Sequence, residues 1–287
     1  MKRVDYHEPT TLEEAVQLMT RYPDTASFFA GGTDLLVELR EQTRRADHVV
    51  NLKRIPDLGM LTFDPRAGVH CGALVTVRTL ENAPFIRAHY AGLWQAAREL
   101  ASIPVRERAT LAGNVCRASP SADTLPPLIA DQAVAHVYGP AGRRDVTLED
   151  FFLGPGRTVL SHEEVLTGFS IPAPEPGTGK SYIKHGRRKA MELATVGVAV
   201  TLTLDGDSVR DLRIVLGAVA PTPIRAPEAE QVLIGKRPEP ALIEQAAEAA
   251  IAGSRPISDV RSSADYRRRM VGVQTRRALQ QALEAAR

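Results

Sequence analysis

The sequence predicts an α+β protein in which mixed strands and helices are followed by an antiparallel sheet and C-terminal helices. Apolar runs flank residues 139–142 and 205–207, and both short connections carry hairpin turn residues. Helical patterns over 240–252 and 263–286 follow the second hairpin. Strands followed by helices favour α+β architecture over regular βαβ repetition.

The N-terminal segment predicts a helix, a strand and a second helix. Thr11 and Glu14 have the spacing of a capping box, and the apolar residues after them fall on one helical face. Residues 27–30 form a short apolar strand pattern, and Asp34 precedes the apolar start of the next helix. A pair of glycines therefore lies between a strand and a helix N-terminus, where backbone N–H groups lack intrahelical partners.

The middle of the chain predicts further strands around one long helix. Residues 84–101 form an amphipathic helical pattern that contains the only tryptophan, Trp94. Strands are predicted at 48–52, 68–72, 133–138, 143–146 and 164–171. Proline and glycine are dense in residues 172–179, which predicts a linker before the C-terminal sheet.

Length and charge set broad limits on the function. A chain of 287 residues predicts about two domains. Its 36 basic and 34 acidic side chains give a net charge of +2, so electrostatics do not favour nucleic-acid or membrane-surface binding. The N-terminus lacks the apolar run of a signal peptide, and no apolar stretch approaches the roughly 20 residues of a membrane helix. We therefore expect a cytoplasmic protein without a membrane span.

The two cysteines, Cys71 and Cys116, exclude several kinds of metal site. An iron–sulfur cluster is usually held by more thiolates than this chain has. The two residues also do not form the CxxC pair of a redox or zinc site. Any metal chemistry linked to the protein must therefore lie on another chain, and we assign no metal ligand here.

Two glycine-bearing loops, far apart in the sequence, are the strongest functional signal. The first comprises Phe28, Phe29, Ala30, Gly31, Gly32, Thr33, Asp34 and Leu35, and the second Thr110, Leu111, Ala112, Gly113 and Asn114. Because small residues let backbone N–H groups approach an anion, two such loops suit a long ligand with a pyrophosphate in its middle. The first loop alone is equally consistent with a strand-to-helix turn capped by Asp34. Neither loop is a GxGxxG or P-loop motif, which disfavours an ordinary Rossmann or ATPase site.

Asp123 follows the second loop at a distance that could reach a ribose hydroxyl. Carboxylates accept hydrogen bonds from such hydroxyls in other dinucleotide sites. The alternative is that Asp123 caps a helix before residues 126–129. The residue by itself leaves both roles open.

Nearly end to end, the chain resembles the FAD-binding medium subunit of the molybdenum hydroxylase family, of the xanthine dehydrogenase and carbon monoxide dehydrogenase types. The resemblance depends on the order and spacing of several segments rather than on any one of them. These segments are 28–36, 110–114, 118–123, 151–152, 164–166, 171–172, 182–184, 194–196 and 263–267.

The resemblance implies a two-subdomain FAD-binding domain of the PCMH type over residues 1–176, with subdomains roughly 1–55 and 56–176. A C-terminal domain of the carbon monoxide dehydrogenase flavoprotein type would cover 177–287. By the same resemblance, the first loop would wrap the pyrophosphate and part of the flavin, and the second would add phosphate and ribityl contacts. Further cofactor contacts would be Leu100 near the adenine, Asp123 on a ribose, Leu166 on the flavin and Lys184 near the isoalloxazine.

Lys184 also has a physical rationale, because reduced flavin carries an anion that a nearby cation stabilises. The alternative is a solvated lysine on a strand. Two positions depart from the family pattern: Ala112 stands where glycine is common, and Glu192 stands where aspartate is common.

The resemblance implies an FAD-carrying electron-transfer subunit of a multi-subunit molybdenum hydroxylase. A large molybdopterin-binding subunit and a small iron–sulfur subunit would be its partners, in a heterotrimer or a dimer of heterotrimers. Electrons would leave the FAD to NAD, a quinone, oxygen or another acceptor, and no catalytic acid or base is assigned to this chain. The alternatives are an independent FAD-dependent oxidase or reductase of the same fold, and a cofactor-free scaffold. The sequence of residues 116–123 favours a substrate of the kind used by relatives that act on purines or N-heteroaromatics.

Overall fold

A computed structural model of the protein describes residues 3–287. Its first sheet is parallel and contains β1 (Asp5–His7), β2 (Ala26–Phe29) and β3 (His48–Asn51), in the order β1-β3-β2, with α1 (Leu12–Arg21) and α2 (Leu35–Arg40) as crossovers. Helix α1 begins as predicted, since the Thr11 hydroxyl accepts a hydrogen bond from the Glu14 N–H at 3.1 Å. The sequence disfavoured βαβ repetition, but this sheet consists of it. Each helix returns the chain so that the next strand joins a parallel sheet.

The second sheet is antiparallel and occupies the middle of the chain. Its strands are β4 (Leu61–Asp64), β5 (Gly68–Gly72), β6 (Val134–Gly139), β7 (Gly142–Thr147) and, after the small pair β8 (Phe152–Gly154) and β9 (Arg157–Thr158), β10 (Val165–Ile171). The strand order is β4-β5-β10-β6-β7. The hairpin of β6 and β7 turns at Gly139–Gly142, as the sequence predicted.

Six short helices accompany the second sheet. They are α3 (Val77–Asn82), α4 (Pro84–His89), α5 (Ala91–Glu99), α6 (Ile103–Arg106), α7 (Leu111–Arg117) and α8 (Leu125–Ala130). The prediction of one continuous helix over 84–101 is therefore wrong. Tyr90 interrupts it with φ −132° and ψ 53°, its ring is fully buried, and its hydroxyl donates to the Pro172 carbonyl at 2.9 Å. Tertiary packing of this tyrosine outweighs the local helical pattern.

The C-terminal part is an antiparallel sheet covered by helices. It contains β11 (Thr178–His185), β12 (Val196–Asp205), β13 (Ser208–Gly217) and β14 (Ile224–Arg225) in chain order, followed by α9 (Pro227–Leu233), α10 (Pro240–Gly253) and α11 (Ala264–Ala286). The predicted linker is shorter than 172–179, because Thr178 and Gly179 already belong to β11. The sequence did not predict helix α9, whose first turn contains Pro227.

The side chains on one face of β11 join the C-terminal sheet to the rest of the chain. Lys180 Nζ lies 2.8 Å from Asp131 Oδ1, and both side chains are almost fully buried. The Thr201 hydroxyl donates to the same carboxylate oxygen at 2.7 Å. The ammonium also lies 4.3 Å from the centre of the Tyr90 ring. This buried pair therefore connects β11 to the end of α8 and to the start of α5.

We expect Asp131→Ala to lower the free energy of unfolding by about 3–5 kcal/mol, because it leaves the Lys180 ammonium buried and unpaired. Urea unfolding followed by circular dichroism would measure the change. The double variant Asp131→Leu, Lys180→Met should recover most of the loss, since buried ion pairs are replaceable by apolar side chains.

Glu244→Ala is the matched control, since Glu244 and Arg276 form an exposed ion pair at 2.6 Å on α10 and α11. Exposed pairs contribute about 0–1 kcal/mol, so this variant should unfold almost like the wild type. Equal losses of unfolding free energy in Asp131→Ala and Glu244→Ala would contradict the prediction that the buried pair matters more for stability than the exposed one.

Candidate cofactor site

The first glycine loop lies at the carboxyl edge of the parallel sheet. It follows β2, and the neighbouring strand β3 ends at the same level, where Asn51 pairs with Phe29. Residues 28–33 are half-buried, Asp34 is exposed and only Leu35 is fully packed into a core. Ligands bind outside the carboxyl ends of strands in such sheets. The loop is therefore accessible at a position suited to ligand binding.

The two glycines of the first loop have different structural roles. A Cβ at Gly31 would overlap the backbone carbonyl oxygen of Arg108, which immediately precedes Ala109 and the second loop. Gly32 has a φ of +77°, and a Cβ there would overlap the Phe29 ring. Gly31 thus brings the first loop against the backbone that leads directly into the second loop, and Gly32 has the left-handed backbone conformation that glycine tolerates best.

The second loop forms the start of α7. The Thr110 hydroxyl accepts a hydrogen bond from the Gly113 N–H at 3.0 Å, and a Cβ at Gly113 would contact nothing else within 4 Å. Leu111 and Ala112 instead face the core, with 0% and 4% exposure, so only their backbone groups are available to a ligand. The departure from the family pattern at Ala112 is thereby explained, because its methyl group packs inside the protein.

Asp123 is the centre of a buried polar cluster between β11 and the helices of the middle region. Lys184 Nζ lies 2.8 Å from its Oδ2 and also donates to the Glu99 carbonyl at 3.0 Å. The Tyr182 hydroxyl donates to Oδ1 at 2.8 Å. The Tyr182 N–H in turn donates to Gln95 Oε1 at 2.6 Å. The structure thus brings two predicted site residues, Asp123 and Lys184, into direct contact.

Burial and charge set the protonation of this cluster. Burial is the largest influence on the Asp123 carboxyl and raises its pKa, while the Lys184 ammonium opposes that rise. Burial, followed by the charge of Asp123, raises the pKa of Tyr182 well above its usual value. Tyr182 therefore remains a hydrogen-bond donor to the carboxylate.

Two residues of this cluster, Tyr182 and Gln95, were not predicted as part of the site. The available signal was the alternation of Lys180, Tyr182 and Lys184 along β11, which places all three on one face of a strand. Asn114 likewise has a partner that was not expected: its Oδ1 accepts a hydrogen bond from the Thr124 hydroxyl at 2.6 Å. Each of these contacts joins residues from different elements.

The two predicted apolar contacts are both largely buried. Leu100 ends α5 next to Glu99 and is 8% exposed. Leu166 is 4% exposed on β10, where it pairs with Val137. Leu100 directly follows Glu99, whose carbonyl accepts the hydrogen bond from Lys184 in the Asp123 cluster. Leu166 instead belongs to the core of the second sheet.

These features fit an elongated anionic cofactor such as FAD. The first loop contacts the backbone just before the second loop, Gly113 leaves open space for a close approach, and a buried polar cluster lies between the second loop and α8. Backbone N–H groups would hold a diphosphate, and the cluster would offer a cation and hydrogen-bond acceptors.

Comparison with known proteins gives the family. The family described as "FAD binding domain in molybdopterin dehydrogenase" matches residues 2–174. The chain belongs to this family. A second family, described as "CO dehydrogenase flavoprotein C-terminal domain", matches residues 181–282.

Relatives in the molybdopterin dehydrogenase family are similar over almost their whole length. The carbon monoxide dehydrogenase medium chain of Hydrogenophaga pseudoflava is 35% identical over 277 residues, covering 96% of both chains. The xanthine dehydrogenase FAD-binding subunit of Escherichia coli O157:H7 is 31% identical over 282 residues, covering 98% of this chain and 96% of the relative. A solved structure of carbon monoxide dehydrogenase from Hydrogenophaga pseudoflava superposes with a TM-score of 0.95 at 35% identity, covering 99% of this chain and 98% of the other.

These comparisons confirm several predictions. The family resemblance, the α+β fold class, FAD as the cofactor and an oxidoreductase subunit as the enzyme class are all confirmed. The residue-level assignment of the FAD site stays a prediction. Within residues 3–287, no helix is long and apolar enough to cross a membrane.

We expect Gly31→Ala to reduce the FAD content of the purified chain, because the methyl group would push the first loop away from the Arg108 carbonyl. The forced shift should also cost about 1–3 kcal/mol of stability. Flavin absorbance per chain and thermal unfolding would measure both effects.

Gly59→Ala is the matched control, since a Cβ at Gly59 would meet nothing within 4 Å. That variant should keep wild-type flavin content and melting temperature. Full flavin content in Gly31→Ala would show that contact between the two loops is not needed for binding.

Proposed function

We propose that the chain is the FAD-carrying electron-transfer subunit of a molybdenum hydroxylase, which passes electrons from iron–sulfur clusters on a partner chain to an external acceptor. The observation that carries the proposal is its match along nearly the full length of medium subunits such as that of carbon monoxide dehydrogenase. Its two cysteines lie on separate elements, Cys71 on β5 and Cys116 on α7. The iron–sulfur clusters would therefore belong to another chain.

The proposed assembly contains a large molybdopterin-binding subunit and a small iron–sulfur subunit, in a heterotrimer or a dimer of heterotrimers, in the cytoplasm. Residues 1–176 would form the FAD-binding domain and 177–287 the C-terminal domain. Relatives named for xanthine and for carbon monoxide share this subunit type. The organic substrate would accordingly be selected by the large subunit.

The two glycine loops would hold the diphosphate of the cofactor through backbone N–H groups. When bound, FAD supplies the redox chemistry, since it accepts and releases electrons. Asp123 and Lys184 would face one region of the cofactor, because they lie 2.8 Å apart. The ribose predicted for Asp123 and the isoalloxazine predicted for Lys184 lie at opposite ends of an extended FAD, so one pair cannot meet both predictions. The pair would instead face the ribityl chain, which offers hydroxyls to Asp123 and lies beside the ring that Lys184 would approach.

The charge of Lys184 is balanced by Asp123, so the pair is close to neutral. Removing the ammonium alone leaves a carboxylate with no counter-charge in a buried position. Removing the carboxylate alone leaves an uncompensated cation. The two changes should therefore shift the potential of a nearby flavin in opposite directions.

We expect Lys184→Met to make the midpoint potential of the bound FAD more negative, and Asp123→Asn to make it less negative. The double variant Lys184→Met, Asp123→Asn should return towards the wild-type value, because the site is neutral again. Spectroelectrochemical titration of each variant, normalised to flavin content, would measure the potentials. Identical potentials in all four proteins would place the pair away from the flavin and contradict its proposed role.

The subunit function is tested by expressing the chain alone and with its genomic partners. The lone chain should contain FAD that dithionite reduces, with neither iron nor molybdenum. The co-expressed protein should purify with two further chains, iron and molybdenum, and its flavin should be reduced when the organic substrate is added. Turnover of an organic substrate by the lone chain would instead favour the independent oxidase or reductase.

A further inference from the structure

Lys53 lies at the edge of the first glycine loop, although neither loop contains it. It belongs to a short 3-10 turn that follows β3 directly, at the carboxyl edge of the parallel sheet. Its Nζ lies 3.8 Å from the centre of the Phe29 ring. A Cβ at Gly32 would overlap this same ring. One aromatic side chain thus connects the lysine to the loop.

Arg108 brings a second positive charge to the same place. Its backbone carbonyl packs against Gly31, and its exposed side chain precedes the second loop. Partial burial, followed by the charge of Arg108, lowers the pKa of Lys53. Lys53, through Phe29, and the Arg108 backbone, through Gly31, thus both border the first loop.

Neither cation has an ion-pair partner among residues 3–287, whereas cations around them do. Arg54 lies 3.9 Å from Glu8, and Arg106 lies 2.9 Å from Glu81. The nearby carboxylates are also engaged elsewhere, since Asp34 and Glu38 lie 3.8 Å and 3.2 Å from Arg117 and Glu107 lies 3.4 Å from Arg78. Both positive charges are therefore available to a bound anion.

We infer that Lys53 and Arg108 form a cationic clamp on the diphosphate of FAD, in addition to the backbone groups of the two loops. The inference rests on the proposed FAD site. The diphosphate carries negative charge on both phosphates, which matches a lysine beside the first loop and an arginine just before the second. Phe29 would hold the lysine ammonium in place, and the contact of Gly31 with the Arg108 backbone would set where the arginine starts.

The test compares FAD with riboflavin, which lacks both phosphates, on the full chain freed of cofactor. Lys53→Gln and Arg108→Gln should each bind FAD about tenfold more weakly, which corresponds to about 1.4 kcal/mol. Riboflavin affinity should stay at the wild-type value in both variants. The dependence of FAD affinity on salt concentration should also become shallower, because one charge contact is lost in each variant.

Arg54→Gln is the matched control, because it removes one positive charge from the residue next to Lys53. This variant should keep wild-type FAD affinity, and Lys53→Arg should retain most of the affinity that Lys53→Gln loses. Unchanged FAD affinity in both glutamine variants would overturn the clamp, as would equal losses for FAD and riboflavin. A wild-type chain that bound riboflavin and FAD equally would also overturn it while leaving a flavin site in place. A chain that bound neither flavin would refute the proposed FAD site itself.

Discussion

Two buried ion pairs along one face of β11 fix the C-terminal sheet on the rest of the chain. Lys180 pairs with Asp131 and Lys184 with Asp123, each at 2.8 Å. Asp123 lies just before α8 and Asp131 caps its C-terminal end, so the two pairs hold β11 against both ends of that helix. Tyr182, between the two lysines, adds a hydrogen bond and a buried ring.

The candidate site depends on this arrangement because its parts come from three separate segments. The two glycine loops meet through Gly31 and the Arg108 carbonyl, and Lys184 reaches the site only because β11 lies against α5 and α8. The segment before Asp123 is held as well, since the Pro120 carbonyl accepts a hydrogen bond from the Ala218 N–H at 2.7 Å. A shift of the C-terminal sheet would move the cation without moving either loop.

The distribution of charge at the site suits a cofactor that binds as an anion and changes charge when reduced. Lys53 and Arg108, which we assign to the diphosphate, have no carboxylate partner among residues 3–287, whereas Lys184 shares its charge with Asp123. Phosphates, which are always negatively charged, bind best to cations that have no other partner. The reduction potential of a flavin is instead adjusted by the small net charge of a nearly neutral pair. Different residues would therefore bind the cofactor and control its reduction potential.

Local sequence signals determined most of the elements, including the cap at Thr11, the hairpins and the position of both glycine loops, because these depend on neighbouring residues. The scarcity of cysteine likewise directed the metal chemistry to another chain. The break at Tyr90 and the pairing of Asp123 with Lys184 were decided only by the tertiary structure. Those contacts join residues far apart in the sequence, and local periodicity contains no information about which distant groups will meet. Even Gly31, which the sequence identified as a loop residue, owes its requirement for glycine to a carbonyl that folding brings against it.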